Sequence, residues 1–233
     1  MRSQRPSKLT RRKFLQGAST TVVAGVVLSG VAQGDDSAAR SPGASWPNFR
    51  NGPDNRGIAN SLIPPSPALL WEQETTDGCK STPAIAGGRV YIGQLSGALQ
   101  SLHLQTGEVE WTYRSEQTDD PKKFIPGFNG PVTVTSEVVL CGDEDGTLHC
   151  VDRRTGAARW TFETEGLIVG GATVVGDRVV CGSHSQFLYG VNLRTGEKLW
   201  EFDALGPING TQAFDGDFTF VTGCREPVLY VVD

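Results

Sequence analysis

The chain has 233 residues, among them 29 Gly, 13 Pro and a single Met, with 38% hydrophobic and 20% charged side chains. Such dense turn punctuation excludes a helical bundle, and the apolar content excludes wholesale disorder. The formal charge of −5 divides into six basic side chains without an acid in residues 1–34 and a net −11 over residues 35–233, an acidic body that excludes nucleic acid as a partner.

Residues 1–34 read as a signal peptide: a basic stretch from Arg2 to Lys13, an apolar run at 18–32, and small residues suited to cleavage after Ala32. The run falls short of the ~20 residues that span a bilayer and is diluted by Ser, Thr and Gly. A signal rather than a membrane anchor is therefore expected. Within it, Thr10-Arg11-Arg12-Lys13-Phe14-Leu15-Gln16 resembles the twin-arginine export motif, carried by Arg11, Arg12, Phe14 and Leu15. The match implies the twin-arginine translocase as export partner and a periplasmic or extracellular destination. No Cys follows the apolar run, so a lipid-modified terminus is not indicated. Nothing else in the sequence approaches a membrane-spanning stretch.

Residues 35–67 form a Pro-, Ser- and Gly-rich lead-in. Trp46 and Phe49, which a solvated linker does not need, predict that part of it lies against the folded body.

A repeat of about forty residues organises residues 68–233. Trp71, Trp111, Trp160 and Trp200 recur at intervals of 40, 49 and 40, and Gly107, Gly156 and Gly196, each after a Thr, precede their Trp by a constant offset. Leu99, Leu148, Leu188 and Leu229 open short alternating runs at similar spacing. Four short β-branched or aromatic runs per unit, joined by turns of two to five residues, predict an all-β β-propeller of four-stranded antiparallel blades. Full blades are expected at about 80–115, 128–164 and 168–204, with a partial blade at 208–233 and a lone outer strand near 69–74. The polar stretch 115–126 predicts an outward loop. Each Trp is expected to dock between blades, and each Thr-Gly turn to supply the positive backbone angle that leaves room for the ring.

Asp152-Arg-Arg-Thr155-Gly156-Ala-Ala-Arg-Trp160 and Asn192-Leu-Arg-Thr195-Gly196-Glu-Lys-Leu-Trp200, each preceded by Leu-x-x-Val, resemble the tryptophan-docking repeat of the pyrroloquinoline quinone (PQQ) propeller superfamily. The first copy departs from the pattern with His103 in place of Asp or Asn. The resemblance covers residues 68–233, and Trp46-Pro-Asn-Phe-Arg is similar to the family's lead-in. It implies either a cofactor-free BamB-like assembly factor, a scaffold for exported or outer-membrane proteins, or the first part of a PQQ- and calcium-dependent alcohol or sugar dehydrogenase. A carbohydrate- or surface-binding propeller is a third, weaker reading. The family has seven or eight blades where about four are present here. The expected form is part of an eight-bladed ring, with a closed four-bladed ring and a dimerising half-ring as alternatives.

Chemistry-bearing residues are sparse. Five cysteines, Cys79, Cys141, Cys150, Cys181 and Cys224, invite disulfides in an exported protein, but Cys141 and Cys181 share a strand position where packing suffices. The quinoprotein branch often carries adjacent cysteines, and none are adjacent here. Cys181-x-x-His184 and His149-Cys150 lack the second pair a tetrahedral metal site needs. Asp143-Glu144-Asp145-Gly146 reads as a solvated turn without the downstream Glu of a calcium loop. No catalytic or metal residues are expected, and His103, His149 and His184 are read as repeat positions rather than as bases. The family's calcium and quinone ligands match no local motif in this sequence.

Overall fold

Alternating runs broken by Gly-containing turns fold into fifteen strands and no helix among the described residues, which in this computed structural model are 45–59, 61, 65–120, 122–225 and 228–233. The signal at 1–34, with the export motif at Arg11, Arg12, Phe14 and Leu15, and the lead-in up to residue 44 lie outside them.

Three blades are four-stranded antiparallel sheets. The first holds β1 (Ala84–Ala86), β2 (Arg89–Gly93), β3 (Ala98–His103) and β4 (Val109–Arg114). The second holds β5 (Thr133–Val134), β6 (Val138–Gly142), β7 (Thr147–Asp152) and β8 (Ala158–Glu163). The third holds β9 (Thr173–Val175), β10 (Arg178–Gly182), β11 (Phe187–Asn192) and β12 (Lys198–Asp203). The last sheet has three strands, β13 (Ala213–Asp215), β14 (Phe218–Thr222) and β15 (Leu229–Val232). The expected strand near 69–74 is corrected: these residues form no strand, because no sheet among the described residues pairs with them.

The core lies between the sheets rather than within one. Tyr91, Leu99, Val139 and Val151 fill the first interface, Leu140, Leu148, Val179 and Val191 the second, and Val180, Leu188 and Val221 the third. Sheets packed face to face must interdigitate closely, and two features with the same period allow this. Strands β2, β6 and β10 end in Gly93, Gly142 and Gly182, and the connectors between blades insert Phe128, Ile168 and Ile208 over them. A Cβ on these glycines would fall 2.6, 2.5 and 2.8 Å from the Cβ of the inserted residue.

The innermost strands are stitched in sequence around the arc. Val132 N–H donates to the Thr82 carbonyl at 3.1 Å, Thr133 Oγ1 to the Ala172 carbonyl at 2.6 Å, and Thr173 Oγ1 to the Gln212 carbonyl at 2.7 Å. The lead-in crosses these strands as a strap. Trp46 and Ile85 exchange backbone hydrogen bonds of 2.7 and 2.9 Å, Val134 N–H donates to the Pro47 carbonyl at 2.7 Å, and Phe214 N–H to the Pro53 carbonyl at 2.9 Å. Asn55 Nδ2 reaches the Gln212 carbonyl at 2.9 Å. The strap thus joins the first, second and fourth blades.

Candidate functional site

The docking tryptophans reach across to the next blade, not to their own turn. Trp71 Nε1 donates to the Leu104 carbonyl at 2.9 Å, Trp111 to that of Arg153 at 3.0 Å and Trp160 to that of Leu193 at 3.0 Å. Each ring then lies on a turn glycine, Gly107, Gly156 or Gly196, whose φ values are 75°, 72° and 76°. Trp200 covers Gly190 of its own blade. A β-bulge sits beside each Trp, between Ser101 and Leu102, Cys150 and Val151, and Gly190 and Val191 on the facing strand. Bulges of this kind redirect side chains.

The turns themselves are capped by side chains. Asp152 Oδ1 accepts from Arg154 N–H at 3.0 Å and from Thr155 N–H at 2.9 Å, and Asn192 Oδ1 does the same for Arg194 and Thr195 at 2.9 and 3.1 Å. In the first blade the corresponding residue is an imidazole, and His103 Nδ1 lies 3.3 Å from Thr106 Oγ1. Replacing His103 with Asp is expected to stabilise the protein by about 1 kcal/mol by giving this turn the carboxylate cap that Asp152 supplies to the next one. Chemical denaturation of H103D measures this, and an unchanged midpoint contradicts it.

Between the first two blades the structure assembles a polar chain that the sequence did not announce. His149 Nε2 lies 2.9 Å from Asp143 Oδ2, and His149 Nδ1 lies 2.9 Å from the Tyr113 hydroxyl. Asp143 Oδ1 also accepts from the N–H groups of Asp145 and Thr147 at 3.0 and 2.8 Å. Asp143 and His149 are 2% and 3% exposed. The solvated-turn reading of Asp143 is thus corrected: the carboxyl turns inward to hold its own hairpin and the histidine behind it. Burial, followed by the charge of Asp143, raises the Tyr113 phenol above its usual range. The next two blade interfaces carry Phe162 against Tyr189 and Phe202 against Tyr230, both at 5.3 Å and 67°, where this one carries Tyr113 against His149 at 5.6 Å and 62°. The chain is the polar version of a repeated aromatic contact. Its hydrogen bonds tie the second blade's hairpin to Tyr113 of the first blade.

The cysteines are all free. Burial pushes the Cys150 and Cys181 thiols up to about 12 and raises Cys141 as well, leaving them unreactive packing groups. Cys181 and His184 are not brought together, since His184 Nε2 turns to Asn209 Oδ1. Among the described residues no three His, Cys, Asp or Glu side chains come together in a way that could hold a metal ion.

Two outward features remain. A cleft of about 430 Å³ is lined by Arg89, Glu137, Asp152, Arg153, Arg154 and Arg159. Most of its cations are engaged: Arg89 by Glu110, Arg159 by Asp152 at 2.7 Å, and Arg153 by the Tyr91 hydroxyl at 3.0 Å and the Thr135 carbonyl at 3.1 Å. Hydrogen bonding to Arg159 holds the Asp152 carboxyl well below the usual carboxylate range. The second feature is the loop at 115–126. Lys123 pairs with Glu116 at 3.0 Å, Asp120 Oδ1 accepts from Lys122 N–H at 2.9 Å, and Ser115 Oγ donates to the Pro126 carbonyl at 2.6 Å. This internal bonding presents Phe124 at 64% exposure.

Comparison with known proteins follows the same lines. A family described as "Outer membrane protein assembly factor BamB" matches residues 61–124 and 118–226. A protein of that name from Xanthomonas campestris pv. campestris is 30% identical over 84 residues, 36% of this chain and 21% of the relative. A 1-butanol dehydrogenase (cytochrome c) from Thauera butanivorans is 29% identical over 100 residues, 41% of this chain and 14% of the relative. The chain therefore spans well under two thirds of these relatives. The crystal structure of BamB from Moraxella catarrhalis superposes with a TM-score of 0.61 at 22% identity, over 71% of this chain and 52% of that one. No helix among the described residues is long and apolar enough to cross a membrane.

Proposed function

We propose that this chain, which belongs to the family of outer membrane protein assembly factor BamB, acts as an exported, non-enzymatic scaffold whose loops dock other exported or outer-membrane proteins. The observation that carries this reading is the loop at 115–126. It breaks the repeat spacing, is held in shape by its own hydrogen bonds, and offers Phe124 to solvent beside Lys122 and Lys123. An ordered aromatic at a loop tip loses little freedom on docking, which is the property of an interface anchor. The signal at 1–34, the twin-arginine translocase and a periplasmic or extracellular location belong to the same proposal and rest on the sequence motif.

A second reading, a PQQ- and calcium-dependent dehydrogenase, is favoured by the likeness to the Thauera enzyme. The donor set does not fit it within the described residues, because no acidic or imidazole groups converge as calcium ligands would. Calcium and quinone would have to be held by residues outside this set, and no chemical step follows from the residues present.

A photo-crosslinking residue in place of Phe124, introduced in cells exporting the protein, tests the first reading. Crosslinks to an outer-membrane or exported protein, absent when the probe replaces Val109, also exposed, are expected. Loss of that difference, or a rise in melting temperature and alcohol-dependent dye reduction on adding PQQ with calcium, overturns it.

A further inference from the structure

The turn between β7 and β8 departs in charge from its counterparts in the neighbouring blades. At equivalent repeat positions, Arg153 stands where the first and third blades carry Leu104 and Leu193, and Arg159 where they carry Glu110 and Leu199. Leu193 packs against the core between the second and third blades, so packing alone calls for an apolar residue here. Arg153 is instead a half-buried cation. Its Cζ lies 5.9 Å from the centre of the Tyr91 ring, and its Nε and Nη1 donate to the Tyr91 hydroxyl at 3.0 Å and the Thr135 carbonyl at 3.1 Å. Its Nη2 occupies the space where a side chain on Gly87 would begin. The guanidinium is thus fixed in place by neutral groups, which do not offset its charge.

Arg153 lines the cleft of about 430 Å³ with Arg89, Arg154, Arg159, Asp152, Glu137 and Ser136. That volume falls within the range of small-molecule sites. Asp152 and Glu137 both lie on Arg159, at 2.7 and 3.5 Å, and Glu110 lies on Arg89. No ion pair among the described residues reaches Arg153 or Arg154. Four cations against three acids leave one positive charge unmatched, a local exception in a body of net −11. One carboxylate balances that charge. A phosphate dianion exceeds it in the presence of two lining acids, and a neutral ligand leaves it standing. Every lining side chain also ends in a hydrogen-bonding group. The acids accept from hydroxyls, Ser136 and the arginines donate to them, and the arginine stems offer methylene surface to the C–H faces of a sugar.

We infer that this cleft binds a sugar acid, a single carboxylate carried on a frame of hydroxyls. The carboxylate is taken by Arg153 and Arg154, and the hydroxyls by Asp152, Glu137 and Ser136. The Arg153 fork is already oriented before the ligand arrives, which lowers the ordering cost of binding. The inference stands apart from the docking role of Phe124.

Saturation-transfer NMR on the full chain, with D-galacturonate as the probe, reads the binding. A saturable signal is expected. D-galactose, which has a hydroxymethyl group in place of the carboxylate, and acetate, which lacks the hydroxyls, should each bind about tenfold more weakly or worse. Arg153→Leu, which supplies the residue of the neighbouring repeats, should weaken binding about tenfold. Arg154→Gln should weaken it by a smaller factor, and Arg194→Gln, the same position in the third blade, should leave it unchanged. Melting temperatures report whether each variant is folded, and Arg154→Gln still reads the site if Arg153→Leu does not fold. Trigalacturonate separates the two sources of this chemistry: tighter binding than the monomer indicates an acidic polysaccharide, equal or weaker binding a free sugar acid, and either supports the inference. It is overturned by the lack of a saturable signal from both probes, by acetate binding as tightly as galacturonate, or by binding that survives both cleft variants. Failure here leaves the Phe124 crosslinks untouched.

Discussion

Replacing Asp143 by Ala is expected to destabilise the protein by about 4 kcal/mol, the cost of breaking a buried hydrogen-bonded pair from one side. The carboxyl serves three groups at once, His149 and the N–H groups of Asp145 and Thr147, and His149 in turn faces Tyr113. Its removal strands all of them at a site where water does not reach. The neighbouring interface shows what would satisfy the same space. There Ser183 takes the place of Asp143 and accepts from Ser185 N–H at 3.1 Å, Tyr189 takes that of His149, and Phe162 that of Tyr113. The triple variant Asp143→Ser, His149→Tyr, Tyr113→Phe should recover most of the loss. Urea unfolding of the single and triple variants decides this. Equal destabilisation in both would show that the polar chain is fitted to its own interface and not exchangeable with its aromatic counterpart.

Gly156→Ala should cost about 3 kcal/mol. Two effects add: an L-residue held at φ 72° costs about 1–2 kcal/mol, and a Cβ placed 2.7 Å from Trp111 Cδ2 forces the ring off the turn, with overpacking of about 1–3 kcal/mol. Gly176→Ala isolates the first effect, since Gly176 has φ 60° and nothing within 4 Å of the added carbon. The difference between the two variants measures the docking contact. Near-identical unfolding midpoints would mean that Trp111 yields without loss and that docking contributes little.

Period and punctuation made the blades readable before any coordinates: Trp and Gly spacings led to the sheets because each unit repeats one set of backbone demands. What joins the blades was less legible, for reasons that differ from residue to residue. The pairing of Trp111 with Gly156 of the next blade, not with Gly107 of its own, is invisible to the constant Gly-to-Trp offset, which is a feature within each unit. Phe128, Ile168 and Ile208 did carry a signal, a spacing of forty opposite Gly93, Gly142 and Gly182, but short apolar residues in connectors read as ordinary linker. His149 and Asp143 stand six apart in an ordinary hairpin, and only the cross-strand register shows that they meet. Residues 69–74 carry the pattern of an outer strand and yet form none, since a strand exists only where a partner offers its edge.

The strap has a consequence for the order of events. Neighbouring blades are tied by bonds between residues about forty apart, whereas Asn55 and Gln212 are separated by 157 positions. Local closures lose less chain entropy than distant ones and come first. The contact of the strap with β13–β15 therefore forms only after that sheet exists, so the strap settles last, as a seal across sheets already in place.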